Sequence, residues 1–224
     1  MMETIHRYFD LNYIIRSLPD FWVGLTWTLE TMVVALVLAF VWGLFLVLPL
    51  MSRFWWLQVL FRAYIEFSRN TPLLLQIFVI YFGFPQIGLV WSAFVCGALA
   101  VAGQHGCYLA DVFRGGIESV SERQREAAKA LGMSRLSIMR LVILPQAMLK
   151  VLPPIGNQLV LLIKDTSLVS AIGVTELTLI GKQLTEASAT TIEVFVFIAL
   201  VFLVITTIAG LLMRQVELRY RARF

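Results

Sequence analysis

The sequence predicts an all-α, polytopic membrane protein of about five transmembrane helices, each needing roughly 20 apolar residues. Three observations lead there. Hydrophobic residues make up 59% of the 224-residue chain and charged residues 14%, against roughly 45–50% and about 25% in soluble domains. The apolar residues gather into runs of spanning length. The basic residues concentrate in alternate connections between those runs. A soluble fold of this size has too little interior to hide so much apolar side chain, so the solvent for the excess is lipid.

The first run is 21–50, with Glu30 as its only charge and Pro49 near its end. A second begins at Trp55, is interrupted by Arg62, Glu66 and Arg69, and resumes over 73–84. Its early part reads as a helix near the cytoplasmic interface and its later part as the span. Gly83, Pro85 and Gly88 punctuate the turn that follows. The third run, 87–112, is broken only by Gln104, His105 and Asp111. A charged stretch, 114–140, leads to the fourth run, 141–174, which holds Pro145, Pro153 and Pro154. Its span is expected to start at Pro154, because proline suits a first helical turn and not an interior. A polar stretch over 175–191 precedes the last run, 194–213, which carries no charge.

Orientation follows from the basic residues. Arg53, Arg62 and Arg69 fall in one connection. Arg114, Arg123, Arg125, Lys129, Arg135, Arg140 and Lys150 fall in the next alternate one, and Arg214, Arg219, Arg221 and Arg223 at the end. These are 14 of the 18 Lys and Arg residues, the others being Arg7, Arg16, Lys164 and Lys182. The N-terminus is therefore expected outside and the C-terminus in the cytoplasm. The first residues, with Glu3, Arg7, Asp10, Arg16 and Asp20, are too polar for the core of a signal peptide. Cys96 and Cys107 match neither a disulfide framework nor a metal-ligand spacing and read as small buried residues.

The third connection is longer than a plain link requires. Ser121 suits a helix N-cap, Ala127, Ala128, Ala130 and Leu131 favour helix, and Gly132 suits the left-handed position just after one. Ser134 can cap a second helix over 135–144, ended by Pro145. The expectation is two short helices with a glycine turn, held on the membrane face.

Glu126-Ala127-Ala128, then Gly132, then Ile143-Leu144-Pro145 resembles the cytoplasmic signature of ATP-binding-cassette (ABC) importer permeases. The resemblance extends over roughly 20–215. Arg69 through Gln76, Tyr81 through Pro85, Arg114 through Ile117, Pro153-Pro154 with Asn157, Lys164 through Leu168 and Gly173 through Thr178 resemble the polar amino-acid branch. Arg123 stands where that family often has glycine, Asp111 where it commonly has glutamate, and 103–107 is more polar and glycine-rich than its pattern.

The resemblance implies a MetI-like permease fold, one transmembrane domain over 1–224, and a cytoplasmic docking loop at 114–145. It implies that Glu126, Ala127, Ala128 and Gly132 couple the chain to a separate ATPase subunit. The implied partners are two ATPase subunits, a second permease copy or homologue, an extracytoplasmic solute-binding protein, a polar amino acid and the bilayer of the bacterial inner membrane. ATP would sit on the ATPase partner, with no cofactor, metal or nucleic acid bound by this chain and no catalytic residue.

Ionisable residues inside spans are costly and face protein or water. Lys164 and Asp165, with Asn157 and Gln158 one to two turns earlier, are therefore the substrate-path candidates. The alternative for each is a structural ion pair or interhelical hydrogen bond. No Walker-type phosphate loop, paired-His site or Gly-x-Ser-x-Gly elbow is present. An ion-coupled transporter would need more intramembrane carboxylates than Asp165 and an inverted repeat. A membrane enzyme would need a nucleophile or metal constellation within the spans.

Overall fold

The computed structural model describes residues 11–188 and 191–222. Glu3, Arg7, Asp10 and Arg223 lie outside the described residues. In chain order the helices are α1 (Leu11–Arg16), α2 (Leu18–Leu50), α3 (Trp55–Asn70) and α4 (Leu73–Phe78). A π turn (Val79–Gly83) and a 3-10 turn (Phe84–Ile87) prolong α4, and α5 (Ala93–Glu118) follows. Next come α6 (Glu122–Ala130), α7 (Arg135–Ile138), a π turn (Met139–Ile143) and α8 (Leu144–Asp165). A 3-10 turn (Thr166–Ile172), α9 (Leu177–Ser188) and α10 (Thr191–Arg221) complete the chain. There is no strand among the described residues. Among the described residues four helical segments are long and apolar enough to cross a membrane: α2, α5, the continuous Arg135–Ile172 and α10; Leu73–Ile87 is a shorter apolar helix.

Two elements differ from the sequence expectation. The helix of the fourth span does not start at Pro154, because α8 runs through Pro153 and Pro154. Val151 and Leu152, just before the pair, are buried. Packing there holds the turn that two missing N–H groups weaken. The second docking helix does not end at Pro145 either. It passes through the π turn into α8, giving 38 continuous residues. At 1.5 Å per residue that is roughly 57 Å, against about 30 Å of hydrocarbon, so its beginning stands outside the span. As expected, Arg62, Glu66 and Arg69 belong to a helix apart from the later apolar segment, α3 ending at Asn70 before α4 starts at Leu73. They recur at i, i+4 and i+7 along one stripe of α3, while Trp56, Leu60 and Phe67 form an exposed apolar stripe and Ile65 and Ser68 are buried.

The described chain falls into two compact units, 1–36 with 72–101 and 162–207, and 37–71 with 102–161 and 208–224. In the first, Ile14, Phe21, Leu177, Ile180, Val194 and Ile198 form the core. Phe21 and Phe197 meet with ring centroids 4.6 Å apart. Thr28 ties α2 to the start of α9, its Oγ1 donating to the Gly24 carbonyl at 2.9 Å and accepting from the Leu177 N–H at 3.2 Å.

In the second unit, Leu46, Leu50, Ile65, Cys107 and Ala110 form one core, and Val120, Ala128, Ile138 and Ile143 another. The polar run at 103–107 has a packing reason. Gln104 Nε2 donates to the carbonyls of Ser68 and Thr71, each at 2.9 Å, closing the C-terminal end of α3. Gly106 lets α2 approach, since a Cβ there would lie 2.7 Å from Trp42 Cδ1. Both cysteines are buried and free.

Candidate functional site

The segment expected to dock, α6 and α7 with the turn between them, is set by local rules. Helix α6 ends in a Schellman turn: the Gly132 N–H donates to Lys129 O at 2.9 Å and the Met133 N–H to Ala128 O at 3.2 Å. Gly132 takes φ +74°, a left-handed conformation that L side chains avoid. Space is not the constraint there, because a Cβ would meet nothing within 4 Å. Ser134 caps α7, its Oγ accepting from the Ser137 N–H at 3.2 Å. Ser121 occupies the N-cap position of α6 in extended geometry but makes no side-chain cap bond.

The segment is anchored inward by Ala128, 4% exposed, with Val120, Ile138 and Ile143. Of the four predicted docking residues, Glu126, Ala127 and Gly132 are exposed and Ala128 is not. Ala128 therefore acts by holding the helix down. Sequence reasoning missed the largest exposed apolar groups: Leu131 is 82% exposed and Leu136 77%. The signal was available, since leucines flanking a glycine turn on a charged segment have no core to enter.

Arginines fix the segment to the end of α5. Arg125 donates to the Ile117 carbonyl at 2.6 Å and faces Glu122 at 3.7 Å. Arg114 meets Asp111 at 3.3 Å and Glu118 at 3.4 Å. Asp111 and Arg114 lie one turn apart on α5, and Arg69 also pairs with Asp111 from α3.

Helix α8 separates its candidates. Asn157, Leu161 and Lys164 are exposed at i, i+4 and i+7. Asn157 lines a cavity of about 270 Å³ with Gly156, Gly210, Arg214 and Glu217. Gln158 turns instead to His105, its Oε1 lying 3.2 Å from Nδ1. Asp165 is half-buried. The structure thus does not bring the four residues to one point.

Between the spans, Glu176 is fully buried. Its Oε1 accepts from the N–H groups of Thr178 at 2.8 Å and Leu179 at 3.0 Å, capping α9, while Oε2 is buried without a partner. Burial pushes its carboxyl up from 4.5 to about 7, against the two backbone donors and Lys182. Among the described residues no group of three or more His, Cys, Asp or Glu side chains could hold a metal ion.

Comparison with known proteins gives a consistent result. Residues 35–222 match the family described as binding-protein-dependent transport system inner membrane component. The octopine transport system permease protein OccM of Rhizobium radiobacter is 35% identical over 218 residues, covering 93% of this chain and 89% of the relative. The glutamine transport system permease protein GlnP of Escherichia coli K12 is 34% identical, covering 95% and 98%. The crystal structure of an amino acid ABC transporter with histidines superposes with TM-score 0.88 at 34% identity, covering 94% of this chain and 98% of that one. An inward-facing MetNI methionine ABC transporter chain shares the fold, with TM-score 0.75 at 18% identity. The fold and these relatives together place the chain in the family of binding-protein-dependent transport system inner membrane components, as the permease subunit of an ABC importer.

Proposed function

We propose that this chain forms half of the translocation pathway for a polar amino acid and that α6 and α7 dock on a separate ATPase subunit. The observation that carries the reading is the docking segment itself. Leu131 and Leu136 stand exposed beside the Schellman turn, next to exposed Glu126 and Ala127. Apolar side chains so exposed on a charged segment belong under a partner. The relatives' names supply the substrate class: octopine, glutamine and amino acids in general.

The polar side chains of α8 support it from the membrane side. Asn157 and Lys164 are exposed within a spanning helix. Facing lipid would be costly, which points them toward water or a second permease copy. Arg214 beside Asn157 offers a cation to a substrate carboxylate, while Glu217 is paired with Arg221 at 2.8 Å. The C-terminus lies in the cytoplasm with the basic connections, and the N-terminus outside. ATP binding closes the ATPase pair, the docking segments follow, and the spans alternate between outward and inward access. A solute-binding protein delivers the amino acid.

The test is co-purification in mild detergent from the native host. Wild type should bring down an ATPase subunit, and Leu131→Asp should lose it while folding normally. A folded wild-type chain that repeatedly arrives without an ATPase would sink the reading.

A further inference from the structure

A cavity of about 260 Å³ opens in the second unit where α3 meets the end of α5. Leu50 and Ile65 contribute apolar surface, and Arg62, Glu66, Arg69, Asp111 and Arg114 the charges. Three of these charges are already engaged. Arg69 and Arg114 both pair with Asp111, and Arg114 also reaches Glu118. The Arg69 guanidinium further lies over the Tyr108 ring, 4.8 Å from its centroid. This part of the wall is a fixed frame.

The other two charges are not engaged. Arg62 and Glu66 sit one turn apart on α3, the spacing at which opposite charges usually meet. Among the described residues neither takes part in an ion pair or a side-chain hydrogen bond, and both are exposed. The cavity is therefore lined by one cation and one anion with unspent valence, beside the two engaged guanidiniums of Arg69 and Arg114. Its volume is several times the share of one water, about 30 Å³.

Its depth is set by α3. The exposed stripe of Trp56, Leu60 and Phe67 runs beside the charged stripe, and Trp55 is exposed at the helix start. An amphipathic helix with tryptophans at its beginning lies in the membrane–water interface. A cavity walled by the charged stripe then opens at the level of lipid headgroups.

We propose that this cavity binds a phosphate diester carrying a primary ammonium, the chemistry of a phosphoethanolamine headgroup. The Arg62 guanidinium takes the phosphate through its planar fork, with the field of Arg114 behind it. The Glu66 carboxylate takes the ammonium, which offers it N–H donors. A purely anionic headgroup would leave Glu66 facing like charge. A quaternary choline would offer it no donor. The proposal needs only the membrane-spanning fold and stands apart from the transport reading.

The test is native mass spectrometry of the delipidated full-length chain in detergent. It is titrated with phosphatidylethanolamine, phosphatidylcholine, phosphatidylglycerol, soluble phosphoethanolamine and inorganic phosphate. Phosphatidylethanolamine should bind at least about tenfold more tightly than phosphatidylcholine or phosphatidylglycerol. Arg62→Gln and Glu66→Gln should each remove that preference, and Arg62→Lys should retain part of it. Both positions are exposed, so thermal unfolding should not move and misfolding cannot imitate the result. Soluble phosphoethanolamine binding as tightly as the lipid would assign the site to a free ligand of the same chemistry, and lipid-only binding to the bilayer. Equal binding of the three lipids, tighter binding of phosphatidylglycerol or of inorganic phosphate, or preference unchanged in Arg62→Gln would overturn the proposal.

Discussion

The docking segment and helix α8 expose opposite chemistries, and each is the wrong one for its surroundings. Beside the charged surface of α6, the exposed groups include Leu131 and Leu136. On α8, a helix of spanning length, they include Asn157 and Lys164. Apolar groups left in water and polar groups left at membrane depth carry the same message: another surface belongs over them. The two faces differ in what holds them. The docking segment is a small cluster closed by a glycine turn, so local changes disable it. The α8 face rides on a long helix whose integrity does not depend on Asn157 or Lys164.

The comparison can be broken from either side. The largest effect should come from Gly132→Pro. Proline is confined near φ −65° and cannot take the +74° that closes the Schellman turn. ATPase co-purification and uptake into vesicles should both fall to background. Retained ATPase binding would show that the turn does not set the docking surface.

Leu131→Asp and Lys164→Met should then separate the two faces. Leu131→Asp should cut ATPase association at least about tenfold while thermal unfolding stays within the roughly 0.5 kcal/mol typical of exposed sites. Lys164→Met should leave association intact and lower uptake by about tenfold or more, as for an interaction worth about 1.4 kcal/mol. If both variants lose association, or both lose only uptake, the two faces are not independent.

A smaller effect tests Glu176, the buried acid between the spans. Its folded pKa of about 7 stands above the usual 4.5, so the folded state holds the proton more tightly than the unfolded one. That contribution to stability is fully present below the unfolded pKa and is lost as pH rises through the folded one. Unfolding of the detergent-purified chain, followed by tryptophan fluorescence, should occur at lower temperature at about pH 8 than at about pH 5. Glu176→Gln should flatten the difference. A pH profile that the substitution leaves unchanged would place the titration elsewhere.

Sequence alone located the two short helices and the glycine turn between them because their signals are local. Gly132 and Ser134 do what backbone geometry asks of a C′ glycine and an N-cap serine. The spans were legible because hydropathy needs no partner. What stayed hidden depended on side chains far apart in the chain. Ala128 turns inward because Val120, Ile138 and Ile143 gather beneath it. Gln104 looked out of place in a span until the open carbonyls of Ser68 and Thr71 were beside it. The proline pair misled because a local rule for helix starts weighs nothing of the packing around Val151 and Leu152. Asn157 and Gln158 were both substrate-path candidates in the sequence reading, yet one turns to a cavity and the other to His105.

The π turn over Met139–Ile143 has a consequence for how this chain tolerates insertion and deletion. A π turn is an α-helix carrying one surplus residue. Removing a single residue there would let the turn relax to ordinary helix without breaking the chain. Because the π turn already absorbs the surplus residue, the helix before it would keep nearly its present face relative to α8. A deletion within the regular helix of α8 would instead turn Leu136 by about 100° off its face, so the chain tolerates the loss of a residue at one place and not at its neighbour.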